Sequence, residues 1–298
     1  MKVNRIRSSR EDRVFSFVAY TLATIALVVT LYPLIYCVSA SFSDPMEAVR
    51  GNVLLFPQKA TLLAYQAVAK NQSMFTGYAN TIFYTLIGTS LNLIMTIAAA
   101  YPISKRDFRG RNAITVLFTI TMFFSGGMVP NFLLIRDLGM YDSIWSLILP
   151  GCVSAWNLVI MRTYFQTAIP EEICESAYMD GCSNLKALIR IVLPLSAPII
   201  AVMVIFYGVG HWNSYFNALL YLRSRAKYPL SLVLREILLQ GVGQEKTGAE
   251  VIDSVADLLL FETLKYAVII VSSVPMLLLY PALQRYFVKG AMVGSLKG

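Results

Sequence analysis

The sequence predicts an all-α membrane protein of about six transmembrane helices, each needing roughly 20 apolar residues to cross the hydrocarbon layer. Two observations carry that reading. Hydrophobic residues make up 57% of the 298 and charged ones 14%, against roughly 25% charged in an ordinary soluble domain, and the mean hydropathy is +0.62. The apolar residues also fall in continuous runs rather than alternating one by one, which selects helices over the strands of a membrane barrel.

The first span is expected over 14–40, after the bases Lys2, Arg5, Arg7, Arg10 and Arg13. Val38-Ser39-Ala40 has the look of a signal cleavage site. The apolar run before it is far longer than the roughly 7–15 residues of a signal core, so an uncleaved helix is expected. Further spans are expected at 79–103, 113–134, 143–161, 195–221 and 264–284, the third interrupted by Ser125, Gly126, Gly127 and Pro130. An even number of spans puts both termini on one side. Lys105, Arg106, Arg109 and Arg111 between the second and third spans, with Arg285, Lys289 and Lys297 in the tail, mark that side as cytoplasmic. The chain is thus divided into 1–78 (basic segment, first span and outer loop), a core over 79–285 and a cytoplasmic tail over 286–298.

The net charge of +8 is accounted for by this topology and lends no support to nucleic-acid binding. Cys37, Cys152, Cys174 and Cys182 form no C-x-x-C pair and His211 is the only histidine, so neither a metal site nor a disulfide framework is expected. The spans are expected to carry no Asp, Glu, Lys or Arg, His211 being the exception among titratable groups. An ion-coupled carrier normally holds ionisable groups at membrane depth, so energy for any transport has to come from elsewhere. It does not come from this chain: the nearest approach to a phosphate loop, Gly241 to Gly248, has Glu245 where a glycine is needed, and that carboxylate would repel phosphate. No catalytic cluster is evident.

Residues 170–194 are polar and ordered. Pro170 suits a first helical position, with Glu171 and Glu172 complementing the positive helix end. Ile173 and Ala177 fall on one face with Glu175 beside them, and Asp180-Gly181 reads as the stop. Ser183 or Asn184 can cap a second helix, with Leu185, Leu188, Ile189 and Val192 as an apolar stripe opposite Lys186 and Arg190. Pro194 and Pro198 then lead into the fifth span. On these features alone, a membrane-skimming connector and a rigid docking element are both open.

Glu175, Ser176, Ala177, Gly181, Ile191, Leu193 and Pro194 resemble the EAA loop of ABC importer permeases, in which E-A-A, three residues, Gly, nine residues and I-x-L-P recur at fixed spacing. Ser176 replaces the central alanine. "HWNSYFNALLYL" after the fifth span and "PALQRYFVKGAMVGSLKG" at the terminus are similar to the MalG-type branch of carbohydrate importers, nearest in wording to oligosaccharide and polysaccharide permeases of the LplC/YtcP kind. The resemblance covers most of the chain from about Ala79 and implies the type I, MetI-like permease fold in a bacterial plasma membrane. It also implies a second homologous permease, two cytoplasmic ATPases that hold ATP and Mg, and an extracellular solute-binding protein. Glu175, Ser176, Ala177, Asp180, Gly181, Ile191, Leu193 and Pro194 would then couple to an ATPase, joined in this branch by Gly290, Gly294 and Lys297 of the tail.

Sugars are commonly held by aromatic faces and hydrogen-bonding side chains. Asn157, Trp156, Tyr207, Trp212, Asn213 and Tyr215 are of that type, and His211 either bonds at a helix interface or lines a polar path. Residues 222–263 read as two amphipathic helices about the "GVGQEKTG" turn, placed to dock a binding protein or to pack on the partner permease. A permease for another solute such as an amino acid, or an ATPase-independent carrier or channel, are the competing readings.

Overall fold

The computed structural model describes residues 10–243 and 255–295, and every regular element among them is helical. In order these are α1 (Arg10–Ser41), α2 (Pro45–Val49), α3 (Leu63–Lys70), α4 (Gln72–Ser104), α5 (Arg111–Phe123), α6 (Met128–Asp137), α7 (Trp145–Ile148) and α8 (Ala155–Ala168). There follow α9 (Glu171–Met179), α10 (Asn184–Ala187), a π-turn over Leu188–Val192, α11 (Leu193–Leu195), α12 (Ala197–Trp212), α13 (Tyr215–Tyr221), a 3₁₀ turn over Arg225–Lys227, α14 (Leu230–Gly243) and α15 (Val255–Ser295). Two compact units are formed, Met1–Asn71 with Ile237–Ser272 and Gln72–Glu236 with Ser273–Gly298.

In the first unit α1 is apolar and exposed over most of its length, burying only Ser39, Ala40 and Ser41 in its last turn. Those serines tie the helix end to the loop that follows and to α3: Ser39 Oγ donates to Leu55 O at 2.6 Å, and Ser41 Oγ and Tyr65 Oη lie 2.8 Å apart. Glu47 of α2 receives Lys59 Nζ at 2.8 Å and Asn52 Nδ2 at 2.6 Å. Both bonds favour the carboxylate, Lys59 foremost, and hold the Glu47 carboxyl below its ordinary range.

The second unit is organised on α4, whose buried positions include Thr81, Gly88, Asn92, Thr96 and Ala100. Small side chains at a spacing of four let another helix approach closely. The stripe meets Ile199, Met203, Tyr207 and His211 of α12, also four apart and buried. The two helices run antiparallel: Gly88 and Asn92 face His211, and Thr96 faces Tyr207. Leu158, Met161 and Phe165 of α8 complete that core.

The expected spans are corrected in several places. Among the described residues only α1, α4 and Leu259–Leu278 of α15 are single helices long and apolar enough to cross a membrane. Two bent pairs bring the number to at most five. α5 and α6 meet at 116°, because Gly127 at φ +90 breaks the run expected over 113–134. α10–α11 and α12 meet at 82° at Ser196. The span expected over 143–161 is not one helix: α7 ends at Ile148, and Pro150 and Gly151 lie in a turn before α8. The run 195–221 is interrupted at Asn213 and Ser214. α14 matches the first amphipathic pattern of 222–263, but the second does not form a separate helix, since α15 runs unbroken from Val255 into the last span. Lys265 falls within the last span, against the expectation of spans without charged residues, and is ion-paired with Glu262 one turn away.

Candidate functional site

The polar stretch 170–194 folds as a helix, a tight stop and a second helix. Pro170 takes the N-cap, one position earlier than expected, with Glu171 and Glu172 in the first turn of α9. The stop is a Schellman arrangement. Cys182 N donates to Ala177 O at 2.9 Å and Gly181 N to Tyr178 O at 3.0 Å, with Gly181 in the left-handed region at φ +78. Ser183, not Asn184, caps α10, its Oγ accepting from Lys186 N at 3.4 Å.

The loop is fastened to the end of the bundle from one side only. Cys174, 1% exposed, enters the same core as Tyr101, Phe165 and Val192. Tyr178 Oη lies 3.2 Å from Tyr101 Oη, and Lys105 Nζ sits over both rings at 5.7 and 5.2 Å. Arg106 pairs with Glu171 at 3.5 Å, an exposed contact worth little by itself. The opposite side is open: Ser176 is exposed and Met179 is 89% exposed, while Glu175, also exposed, stands at the edge between the two, on the wall of a cavity it shares with Tyr101 and Tyr178.

The expected apolar stripe of the second helix is half right. Leu188 is half-buried and Val192 buried, whereas Leu185 and Ile189 are exposed. The π-turn over Leu188–Val192 is the cause, because its wider winding rotates the register of the residues around it. Ile191 and Leu193 are half-buried and Pro194 is exposed. The open face of the loop therefore carries Glu175, Met179, Leu185 and Ile189, of which Met179 was not singled out from sequence. An apolar residue immediately before an Asp-Gly stop was the available signal. In the tail, Gly290 and Gly294 fall within α15, while Lys297 lies outside the described residues, as do Glu245, Lys246 and Thr247 of the glycine-rich turn.

The solute-path candidates are hydrogen-bonded into the helix contacts. Tyr207 Oη is 2.7 Å from Thr96 Oγ1 and accepts from Ser154 N at 3.3 Å. His211 Nε2 is 3.4 Å from Asn92 Oδ1, whose amide nitrogen donates to Gly151 O at 3.1 Å. These bonds form a polar seam that holds the 149–154 turn against α4 and α12. Asn157 is buried one turn into α8, and Trp212 meets Tyr78 edge-on at 6.2 Å. Tyr215 lies beneath Arg235 at 5.4 Å, and Asn213 and Trp156 are exposed. Two cavities, about 680 and 830 Å³, flank the 170–194 loop instead, and none of the solute-path candidates lines them.

Sequence reasoning also passed over Asp142. It sits at φ +52 between α6 and α7 and accepts from Arg223 N and Ser224 N, both at 3.0 Å, and from Ser224 Oγ at 2.5 Å. Lys227 Nζ adds a contact at 3.1 Å. The Ser224 and Arg223 donors, with Lys227, push the Asp142 carboxyl far below the usual carboxylate range. Its partners are some eighty positions away, beyond the reach of a local motif.

Residues 93–293 match the family model described as "Binding-protein-dependent transport system inner membrane component". The polygalacturonan/rhamnogalacturonan transport system permease protein YtcP of Bacillus subtilis (strain 168) is 38% identical over 288 residues, 97% of this chain and 100% of that protein. Protein LplC of the same organism is 36% identical over 297 residues, covering 100% and 99%. A chain from the crystal structure of a bacterial ABC transporter involved in the import of the acidic polysaccharide alginate superposes with a TM-score of 0.86 at 34% identity, over 95% of this chain and 99% of that one. On full-length similarity and a shared all-helical fold, the chain belongs to the family of inner membrane components of binding-protein-dependent transport systems.

Proposed function

We propose that the chain is the permease subunit of an ATP-driven importer in a bacterial plasma membrane, moving an oligosaccharide or polysaccharide fragment delivered by an extracellular binding protein. The polymer-transport names of YtcP and of the alginate importer support the substrate class. A second, homologous permease completes the pathway, and two cytoplasmic ATPases hold the ATP and Mg that this chain has no loop to bind. Both termini then face the cytoplasm, with the tail residues Gly290, Gly294 and Lys297 near the ATPases.

The observation that carries the coupling assignment is the one-sided mounting of the 170–194 loop. α9 is locked to the bundle by Cys174, Tyr178 and Lys105, while Glu175, Met179, Leu185 and Ile189 are left open. A mixed carboxylate and apolar face on a rigid mount suits insertion into a cleft of another protein. Rigidity matters, because driving a two-state carrier from 1:99 to 99:1 takes roughly 5.5 kcal/mol of differential interaction. Ser176, Ala177, Asp180 and Gly181 shape that face, and Ile191, Leu193 and Pro194 pass its movement to α12. Tyr207 and His211 of the polar seam, with Asn157 of α8 next to it, border the solute route, with Trp212, Asn213 and Tyr215 at its outer end.

Copurification of the chain from its native membrane tests the assembly, with an ATPase and a second permease expected in the same particle. Reconstitution with a panel of glycans and the binding protein tests the substrate. Acidic or neutral polysaccharide fragments are expected to raise ATP turnover, and stimulation by amino acids alone would contradict the sugar assignment.

A further inference from the structure

We propose that the cavity beside the 170–194 loop is a binding site for the headgroup of an anionic phospholipid. The cavity is about 680 Å³, and Lys105, Arg106, Arg111 and Arg162 line it, with Glu171 and Glu172 as its acids. Arg106 engages Glu171 at 3.5 Å. Arg162 is half-buried and spends only Nε on the protein, donating to Ile103 O at 3.2 Å. Its terminal nitrogens, and the guanidinium of Arg111, itself a half-buried residue, have no hydrogen-bonding or ion-pairing partner among the described residues. Gln166, whose Nε2 donates to Ser104 O at 3.2 Å, completes that part of the wall. Two forked guanidiniums converging on one cavity suit a phosphate group, which each can hold by paired N–H bonds.

The surroundings select a lipid over a free anion. The cavity lies where α4 ends and α5 begins, at the edge of the apolar spans. Arg111 belongs both to the cavity wall and to the first turn of α5, and α5 buries none of its residues. Along the face of α5 that starts at Arg111 follow the half-buried Thr115 and Phe118, and Val116 and Leu117, 57% and 65% exposed, leave the remainder of the helix apolar and open. A ligand fitting both parts has a negative phosphate at one end and acyl chains at the other. Basic pockets between helices at the membrane surface bind such headgroups, at about fivefold in affinity per basic residue near the surface. Because the same wall carries Ile169, Pro170 and Cys174, where α9 begins, occupancy would brace the loop against the bundle.

The test uses the purified full chain in detergent, titrated with phosphatidylglycerol, phosphatidylcholine and inorganic phosphate and read by native mass spectrometry. Retention of phosphatidylglycerol over phosphatidylcholine is expected, with millimolar phosphate unable to displace it. Arg111→Gln should weaken retention about fivefold and Arg111→Gln with Arg162→Gln about 25-fold. Arg162→Lys keeps the charge and guards against misfolding, and Arg136→Gln, whose guanidinium pairs with Asp137, should change nothing. Equal retention of the two lipids, displacement by phosphate, or indifference to Arg111→Gln would each overturn the assignment.

Discussion

Replacing Gly181 by alanine probes the stop of α9 with little else disturbed. At φ +78 the backbone is left-handed, and a Cβ built there meets nothing within 4 Å. The penalty is therefore conformational rather than steric, about 1–2 kcal/mol for an L-residue. That figure corresponds to a 5- to 30-fold fall in the population of the observed turn relative to any alternative. Escape from the penalty breaks the bonds from Gly181 N to Tyr178 O and from Cys182 N to Ala177 O, so the end of α9 unwinds towards Met179. Amide hydrogen exchange in the reconstituted full-length protein reads this directly. Faster exchange confined to residues 178–183 is expected, with unchanged membrane insertion and reduced solute-stimulated ATP turnover. Gly181→Val, β-branched and worse in that region, should go further in the same direction. Wild-type exchange and wild-type turnover in Gly181→Val would refute the claim that the left-handed turn sets the loop's rigidity.

Asp142→Asn removes a charge held by Ser224, Arg223 and Lys227, and a loss of about 1–3 kcal/mol is expected in thermal or denaturant unfolding. Because the folded carboxyl titrates below its unfolded value, its contribution is complete above about pH 4 and declines as pH falls further; a stability gap to the variant that widened on acidification would contradict this. Gly88→Ala would set a Cβ 2.4 Å from His211 Nε2, so it should cost about 1–3 kcal/mol by overpacking. His211→Ala in the same chain should recover part of that loss, whereas strictly additive losses would argue against the close α4–α12 approach. Met179→Asp, on an exposed side chain, should leave the melting temperature nearly unchanged while lowering the yield of copurified ATPase; an undiminished yield would remove Met179 from the docking face.

The 170–194 loop was legible in the sequence because its instructions are local. The acidic first turn at Glu171 and Glu172, the Asp180-Gly181 stop and the Ser183 cap each act within a few residues. What its face presents was less legible, since the π-turn at Leu188–Val192 shifts the exposure of Leu185 and Ile189 without a mark in the apolar pattern. Span counting failed where hydropathy and backbone chemistry disagree. Residues 143–161 are apolar enough to span, yet Pro150 and Gly151 turn the chain, and Asn92 and Tyr207 from other helices supply the polar partners that make the turn tolerable within the bundle. Ser125, Gly126, Gly127 and Pro130 did flag the break between α5 and α6, though not its angle. Asp142 and the α4–α12 seam depend on residues far apart in the chain, and no periodicity within either segment encodes the pairing.

The central claim is that an exposed, rigidly mounted face on α9 receives work from a separate ATPase. Its most direct measurement is ATP-dependent solute uptake by vesicles holding the chain, its partner permease, the ATPases and the binding protein, with Glu175→Lys compared against wild type at matched insertion. Wild-type vesicles are expected to accumulate solute only with ATP, and Glu175→Lys vesicles to lose both uptake and solute-stimulated hydrolysis. Undiminished ATP-dependent uptake by Glu175→Lys, or equal uptake by wild type without any ATPase, would contradict the account.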